Sequence, residues 1–409
     1  MSGEPLPAGR GPTGRWFRPP FPPAARQRGA DVAVLLPHLE VGGAELSMLR
    51  VAQGLAGHGL VVDLLTPRPR GGLLDRLGPR LRLVALQGGS TGRATPDLAH
   101  YLARTRPAVL ISGQPHLNIA AVAACALAGG RTRVALIEHA PLSHEIACYG
   151  GWRYRALTRV APPVYRRAAA VVAVSGGVRE ELRRLVPGLE PEIIPNPVLP
   201  DDLALLQAAP GGHPWLADGG PPVIASVGRL AVEKDFPTLV QALALVVRHR
   251  PARLLILGEG PERERILATA RQLELADRVA LPGRVANVFA PLSRAKVFAL
   301  ASRFEGFGNV LVEALACRLP VVSTDCPVGP REILAHGRFG RLVPPGDAPG
   351  LAAAILAALE APASPPGLEE HLRPFTLQAS VADYLGLVTR LRACGRQGKA
   401  RASRVGTRS

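Results

Sequence analysis

The sequence predicts an α/β protein of two domains, each a parallel sheet covered by helices on both faces. Three observations carry this reading. Wholly apolar runs of strand length recur along the chain, helix-length segments separate them, and glycine turns stand where the runs end. With 409 residues and 47% hydrophobic content, the chain is long enough for two ordinary cores.

The first unit begins with Asp31-Val32-Ala33-Val34-Leu35-Leu36, a continuous apolar run. Gly42-Gly43 follows it, and then the helical spacing of Leu46, Leu49, Val51 and Leu55. Strand, glycine turn and helix open a doubly wound domain, whose ligands sit at the carboxyl ends of strands. GxGxxG is absent, so this is not the dinucleotide fingerprint. Gly42-Gly43 alone reads equally as a tight turn or a ligand contact. Further strands are predicted at Val61–Thr66, Leu81–Leu86, Val109–Ser112, Val134–Glu138 and Ala170–Ser175. His139 stands just past one of them, where such sheets place functional groups.

From His144 to Arg167 the composition changes. Tyr149, Trp152, Tyr154, Leu157, Val160 and Tyr165 are mixed with Arg153, Arg155, Arg159, Arg166 and Arg167. That mixture reads as an amphipathic helix lying on a membrane surface, or as a solvated helix whose aromatics face the core. Pro195-Asn196-Pro197 and the Gly/Pro-rich stretch Pro210–Pro222 read as an interdomain linker.

The second unit opens with the strand Pro222–Val227, followed by Gly228-Arg229-Leu230-Ala231-Val232-Glu233-Lys234-Asp235 and a helix from about Pro237. Arg229 offers a planar fork and Lys234 a point charge beside a strand's carboxyl end, a pairing suited to a diphosphate. The alternation continues through Arg253–Leu257, the Gly258-Glu259-Gly260-Pro261 turn, Val279–Leu281, Val297–Leu300 and Leu319–Ser323. A last helical pattern runs from Val381 to Leu391.

Between the last two of these strands lies the stretch from Ser302 to Ala316, where Glu305 and Glu313 bracket a glycine loop that runs into an apolar segment. Gly306 and Gly308 allow backbone approaches that a Cβ would forbid. A helix starting near Asn309 would present unpaired N–H groups to an anion. Glu313, expected in the first turn and flanked by apolar residues, needs a partner if buried.

The net charge of +17 is unevenly spread, with nine of the seventeen in residues 1–28 and 395–409. Both ends read as disordered basic segments, the first without the apolar core of a secretory signal. Only three of the 49 cations are Lys and aromatic residues are 4%, so the charge is not read as a nucleic-acid signature. An anionic lipid surface remains a partner. Cys125, Cys148, Cys317, Cys326 and Cys394 form no CxxC pair, which fits free thiols in a reducing compartment.

Taken together, Gly42-Gly43-Ala44-Glu45, Val174-Ser175, Ile194-Pro195-Asn196-Pro197, Gly228-Arg229-Leu230 with Glu233-Lys234-Asp235, Leu257 to Pro261, Ser302 to Ala316 and Ser323 to Pro327 resemble the retaining glycosyltransferases of family 4. Glu305 and Glu313 match that family's E-x7-E pattern. The resemblance spans about residues 31–393 and implies the GT-B fold, two Rossmann-like domains facing across a cleft, with a C-terminal helix crossing back to the first domain. The boundaries it implies are an N-terminal acceptor domain at 29–200, a linker at 201–221, a nucleotide-sugar donor domain at 222–375 and a C-terminal helix at 376–394.

The resemblance also implies roles. Arg229 and Lys234 would hold the donor diphosphate, Glu305 the donor sugar and Glu313 the ribose hydroxyls. Gly306, Phe307 and Gly308 would form the loop between them, and Asn309, Val310 and Leu311 N–H groups would bind phosphate. The segment around Gly283 and Val285 would border the base, while Gly42, Gly43 and His139 would face the donor from the other domain. Retention is expected by front-side attack, with no cofactor and with the two cations in place of a metal, since no DxD motif stands near the phosphate site. Lys296 and Gly308 depart from the family's usual residues. The donor is expected to be a UDP-sugar and the acceptor a polyprenyl-linked glycan at the cytoplasmic membrane face, as the Asp325-Cys326-Pro327 form of the late motif implies. A soluble or protein acceptor and a non-catalytic sugar-nucleotide-binding subunit are the alternatives.

Overall fold

The computed structural model describes residues 29–143, 152–217, 219–360 and 365–405. The basic leader 1–28 and residues 144–151 of the basic aromatic stretch lie outside them. Seven parallel strands form the first sheet: β1 Val32–Leu35, β2 Val62–Thr66, β3 Leu81–Ala85, β4 Val109–Gly113, β5 Arg133–Glu138, β6 Ala170–Ala173 and β7 Glu192–Ile193, in the order β3-β2-β1-β4-β5-β6-β7. Six form the second: β8 Val223–Val227, β9 Arg253–Leu257, β10 Val279–Gly283, β11 Val297–Leu300, β12 Val321–Thr324 and β13 Arg341–Val343, in the order β10-β9-β8-β11-β12-β13. Counted from its own first strand, each sheet is wound 3-2-1-4-5-6, with a seventh strand added at the edge of the first, the doubly wound order with its switch point beside the first strand.

Central strands are buried along their whole length, as VAVL in β1 and VLISG in β4 show. Helices cover both faces of such strands, which is why they read as unbroken apolar runs. The edge strand β3 instead alternates between buried and open positions. β7 and β13 were not foreseen. They are two and three residues long, carry Glu192 and Arg341, and lie at sheet edges, where pairing with a neighbour substitutes for an apolar pattern.

Successive residues of a strand face opposite sides, so the second sheet contributes to two cores. Ile224, Leu254 and Ile256 belong to a cluster with the Phe236–Val246 and Ala348–Glu360 helices. Val223, Ala225, Val227 and Leu255 belong to a larger cluster that continues through Phe307, Leu311 and Phe375 into the first sheet. The two domains are therefore joined by continuous apolar packing.

The chain returns to the first domain at its end. Val198 and Leu199 N–H groups both donate to Phe375 O at 2.9 Å, and the helix Leu377–Val405 then packs on the helix Gly43–Gly57. Gly54 makes room for Val381, since a Cβ there would lie 2.2 Å from Val381 Cγ2. Arg392 pairs with Asp31 at 2.9 Å. The helix runs to Val405, through most of the segment expected to be a disordered tail. Arg, Ala, Lys and Gln in that segment are good helix formers, interrupted only by Gly395 and Gly398.

The basic aromatic stretch yields a helix at Trp152–Arg167. Tyr165 is buried and donates its hydroxyl to Glu138, and Ala161 is buried beside it, so this aromatic faces the core, while Arg159, Val160, Arg166 and Arg167 are exposed. Among the described residues no helix is long and apolar enough to cross a membrane.

Candidate functional site

The loops after β8 and β11 meet at the switch point of the second sheet. Lys234 Nζ donates to Glu305 Oε1 at 2.6 Å, and Ser302 Oγ donates to the same oxygen at 2.7 Å. Glu305 is 7% exposed and Lys234 16% at the side chain, so each charge depends on the other for compensation. The loops are tied together twice more, by Arg303 Nε to Asp235 Oδ2 at 2.9 Å and Arg303 N to Glu233 O at 2.8 Å. Arg229 pairs with Glu233 at 2.6 Å but is 56% exposed, leaving its guanidinium at the open edge of the loop. Cys326 lies close enough to Glu305 that burial, reinforced by that carboxylate, pushes its thiol up to about 12.

Gly308, at φ 96, is the residue before the helix Asn309–Ala316. That left-handed turn lets the chain leave the loop and enter the helix within one residue. Leu311 N–H is taken by Gly308 O at 2.9 Å, whereas the Asn309 and Val310 N–H groups have no partner among the described residues. Glu313 is the fifth helical residue and so sits in the second turn, not the first as expected, because a helix that begins at Asn309 completes its first turn before reaching it. Burial pushes its carboxyl up to about 7, against the pull of Arg50 from the first domain. Arg50 is itself anchored by Pro197 O and Val198 O, each at 2.8 Å.

The first domain faces this loop directly. An ideal Cβ on Gly306 would lie 2.3 Å from His139 O, so only glycine permits this approach of the two backbones. Gly43 stands across from Asn309, whose Nδ2 would lie 3.2 Å from a Cβ there, and Asn196 Nδ2 donates to Asn309 Oδ1 at 3.1 Å. Gly42 precedes the first helix in extended backbone. Its neighbour Glu45 is buried and accepts from Gln114 Nε2 at 2.6 Å, a contact that spans the switch point of the first sheet.

His139 is half-buried, with both ring nitrogens inaccessible to solvent. Burial holds its pKa down at about 4, with the Asn196 amide opposing weakly. At neutral pH the imidazole is uncharged, able to accept at one nitrogen and donate at the other.

Gly283, at φ 97, ends β10 beside Glu259, and Val285 packs partly buried on the core two residues later. The Phe307 ring is buried edge-on against Phe375 at 5.7 Å between centroids, so this residue offers the cleft its backbone and not its ring. Sequence reasoning left Arg50, Gln114 and Arg303 without roles and treated Asn196 as part of a linker. An asparagine held between two prolines was the one available signal.

Two family descriptions match in tandem: Glycosyltransferase Family 4 at residues 41–202 and Glycosyl transferases group 1 at residues 221–361. The chain is a GT-B, glycosyltransferase family 4-like protein. HepE of Anabaena, solved with UDP and glucose, superposes with a TM-score of 0.72 at 20% identity, covering 88% of this chain and 99% of that one. A Campylobacter jejuni transferase named for adding N-acetylgalactosamine to a diphospho-undecaprenol acceptor is 42% identical over 120 residues, 29% of this chain and 32% of the relative. The N-acetyl-alpha-D-glucosaminyl L-malate synthase of Bacillus anthracis is 35% identical over 130 residues, 32% of this chain and 34% of the relative. The matches thus span about a third of the length of these curated relatives.

Proposed function

We propose that this GT-B chain is a retaining glycosyltransferase that moves a hexosyl or N-acetylhexosaminyl group from a UDP-sugar to a lipid-linked or other membrane-associated glycan. The observation that carries the reading is the buried Lys234–Glu305 pair at one switch point, set across the cleft from the neutral His139. In this reading Glu305 binds the donor sugar while Lys234 turns its remaining N–H groups to the diphosphate, joined by Arg229 at the loop edge. The Asn309 and Val310 N–H groups take phosphate oxygens, Glu313 the ribose, and Gly283 and Val285 border the base. Gly42 and Gly43 close over the donor from the other side.

The reaction is a front-side displacement. The anomeric carbon–phosphate oxygen bond breaks, the acceptor hydroxyl oxygen bonds to the same face, and its proton passes to the departing phosphate. Arg229 and Lys234 stabilise the charge growing on that phosphate, so the reaction needs neither a separate general base nor a metal ion. His139 supplies a neutral hydrogen-bonding edge to the transferred sugar. The UDP and glucose in the HepE structure and the diphospho-undecaprenol acceptor of the Campylobacter relative support the donor and acceptor classes. The enzyme would then work at the cytoplasmic face of the membrane, with the Trp152–Arg167 helix on the lipid.

A panel of nucleotide sugars with a lipid-linked acceptor tests this, monitored by nucleotide release and product mass. Full turnover in Glu305→Ala or Lys234→Ala would sink the assignment. The similarity to the N-acetyl-alpha-D-glucosaminyl L-malate synthase favours a soluble acceptor as the second reading, which failure to sediment with anionic liposomes would promote.

A further inference from the structure

Glu305 uses its two carboxylate oxygens differently. Oε1 accepts from both Lys234 Nζ at 2.6 Å and Ser302 Oγ at 2.7 Å, so its two lone pairs are engaged. Oε2 has no hydrogen-bond partner among the described residues and, unlike the ring nitrogens of His139, is not sealed from solvent. The nearby Cys326 thiol turns to Val328 O at 3.9 Å and does not compete for it. Oε2 is therefore the acceptor that this nearly buried carboxylate offers to the cleft.

Ser302 cannot reach a substrate itself. It stands two residues past β11 and is fully buried. Its main chain is pinned from two sides. Ser302 O accepts from Thr324 Oγ1 at 2.5 Å, at the end of the neighbouring strand β12, and the N–H of the next residue, Arg303, donates to Glu233 O at 2.8 Å in the loop that carries Lys234. Thr324 is equally buried. The hydroxyl that steers Glu305 is thus fixed by the sheet, whereas the glycines of the loop follow Glu305 in the chain. Lys234 alone would not set the carboxylate's direction, because an ammonium is a point charge on a flexible stem. A glutamate held at one point keeps rotamer freedom, and losing it on binding costs affinity. With Oε1 tied at two points, any rotation that exchanges the oxygens must break a buried hydrogen bond.

We propose that Ser302 is a positioning residue for donor-sugar discrimination: it pins Glu305 Oε1 so that Oε2 meets a sugar hydroxyl in one fixed direction. Ser302 acts only through Glu305, and its role rests on the glycosyl-transfer reading. Calorimetry on the full chain tests it with UDP, UDP-glucose and UDP-N-acetylglucosamine, and with the 3-, 4- and 6-deoxy analogues of each sugar. In the wild-type chain at least one deoxy analogue should bind about tenfold or more weaker than its parent, the loss expected when a charged acceptor goes unpaired. Ser302→Ala should cut that ratio about threefold or more, while UDP itself binds within about twofold of wild type. Ser302→Cys fills the space with only a weak donor and should follow Ser302→Ala, whereas Ser302→Thr restores a hydroxyl and should recover the ratio. If Ser302→Ala does not fold, the Cys and Thr variants decide between themselves, with thermal melts showing that each is folded. A wild-type ratio in Ser302→Ala or Ser302→Cys overturns the proposal and leaves the glycosyl-transfer reading standing. A weakening that falls on UDP as heavily as on the UDP-sugars overturns it too, since Ser302 would then support the whole donor loop and not the direction of one carboxylate. A wild-type chain that binds no UDP or shows no such ratio, or a Glu305→Ala variant that keeps it, counts against the donor reading itself, and the role of Ser302 falls with it.

Discussion

Lys234 and Glu305 are 71 residues apart in sequence, yet Nζ and Oε1 lie 2.6 Å apart in a nearly buried pair. β8 and β11, which deliver them, are hydrogen-bonded neighbours only because the sheet reverses its winding there. The geometry of the fold, and not local sequence, creates the pair.

Removing the cation should expose the cost of that burial. Lys234→Met leaves the Glu305 carboxylate 7% exposed and opposite an apolar chain, a loss of about 3 kcal/mol expected from broken buried pairs. Urea denaturation should show it, and Lys234→Met/Glu305→Gln should recover most of the stability without any turnover. A double variant no more stable than the single one would contradict the pairing.

Gly306→Ala tests the approach of the domains. Its Cβ would stand 2.3 Å from His139 O, so the loop must shift or the cleft must open. Overpacking of this kind costs about 1–3 kcal/mol. Turnover should fall at least about tenfold while UDP affinity, which the proposed function assigns to the second domain, should fall far less. Isothermal titration with UDP beside steady-state rates checks the split.

Two groups give opposite pH signatures. His139, with a pKa lowered from 6.5 to about 4, stays neutral in the folded state while the unfolded chain takes up a proton. Its contribution is fully present above 6.5 and is lost as pH falls from there towards 4. Glu313, raised from 4.5 to about 7, holds its proton longer in the folded state, so its contribution is present below 4.5 and is lost as pH rises towards 7. His139→Gln should flatten the acid side of the stability profile, and Glu313→Gln should raise stability relative to wild type as pH climbs through 5 to 7. Denaturation midpoints measured across that range decide both, and parallel profiles for all three proteins would refute them.

The C-terminal helix is expected to be part of the folding unit. Gly54→Val would drive a branched side chain into Val381, whose Cγ2 already lies 2.2 Å from an ideal Cβ at Gly54. We expect a loss of about 2 kcal/mol or more from this close helix contact. Thermal melts of Gly54→Val against Gly57→Val, where a Cβ would meet nothing within 4 Å, measure the contact against simple helix propensity.

The sequence by itself determined the two parallel α/β sheets and where their main strands lie along the chain, because central parallel strands must be apolar on both faces and so announce themselves locally. It also placed Glu305, Lys234, Arg229, Gly43 and His139 at strand ends, since each follows directly on such a run. Other features had no local signal. The edge strands Glu192–Ile193 and Arg341–Val343 exist only through their neighbours' hydrogen bonds. The helical tail to Val405 depended on where a helix stops, which propensity locates poorly. Tertiary structure alone decided that Arg50 faces Glu313, that Gly306 touches His139, and that Lys234 joins Ser302 on one oxygen of Glu305. Each of these joins segments far apart in the chain, and only the parallel winding, which carries every strand's carboxyl end to the same edge, brings them together.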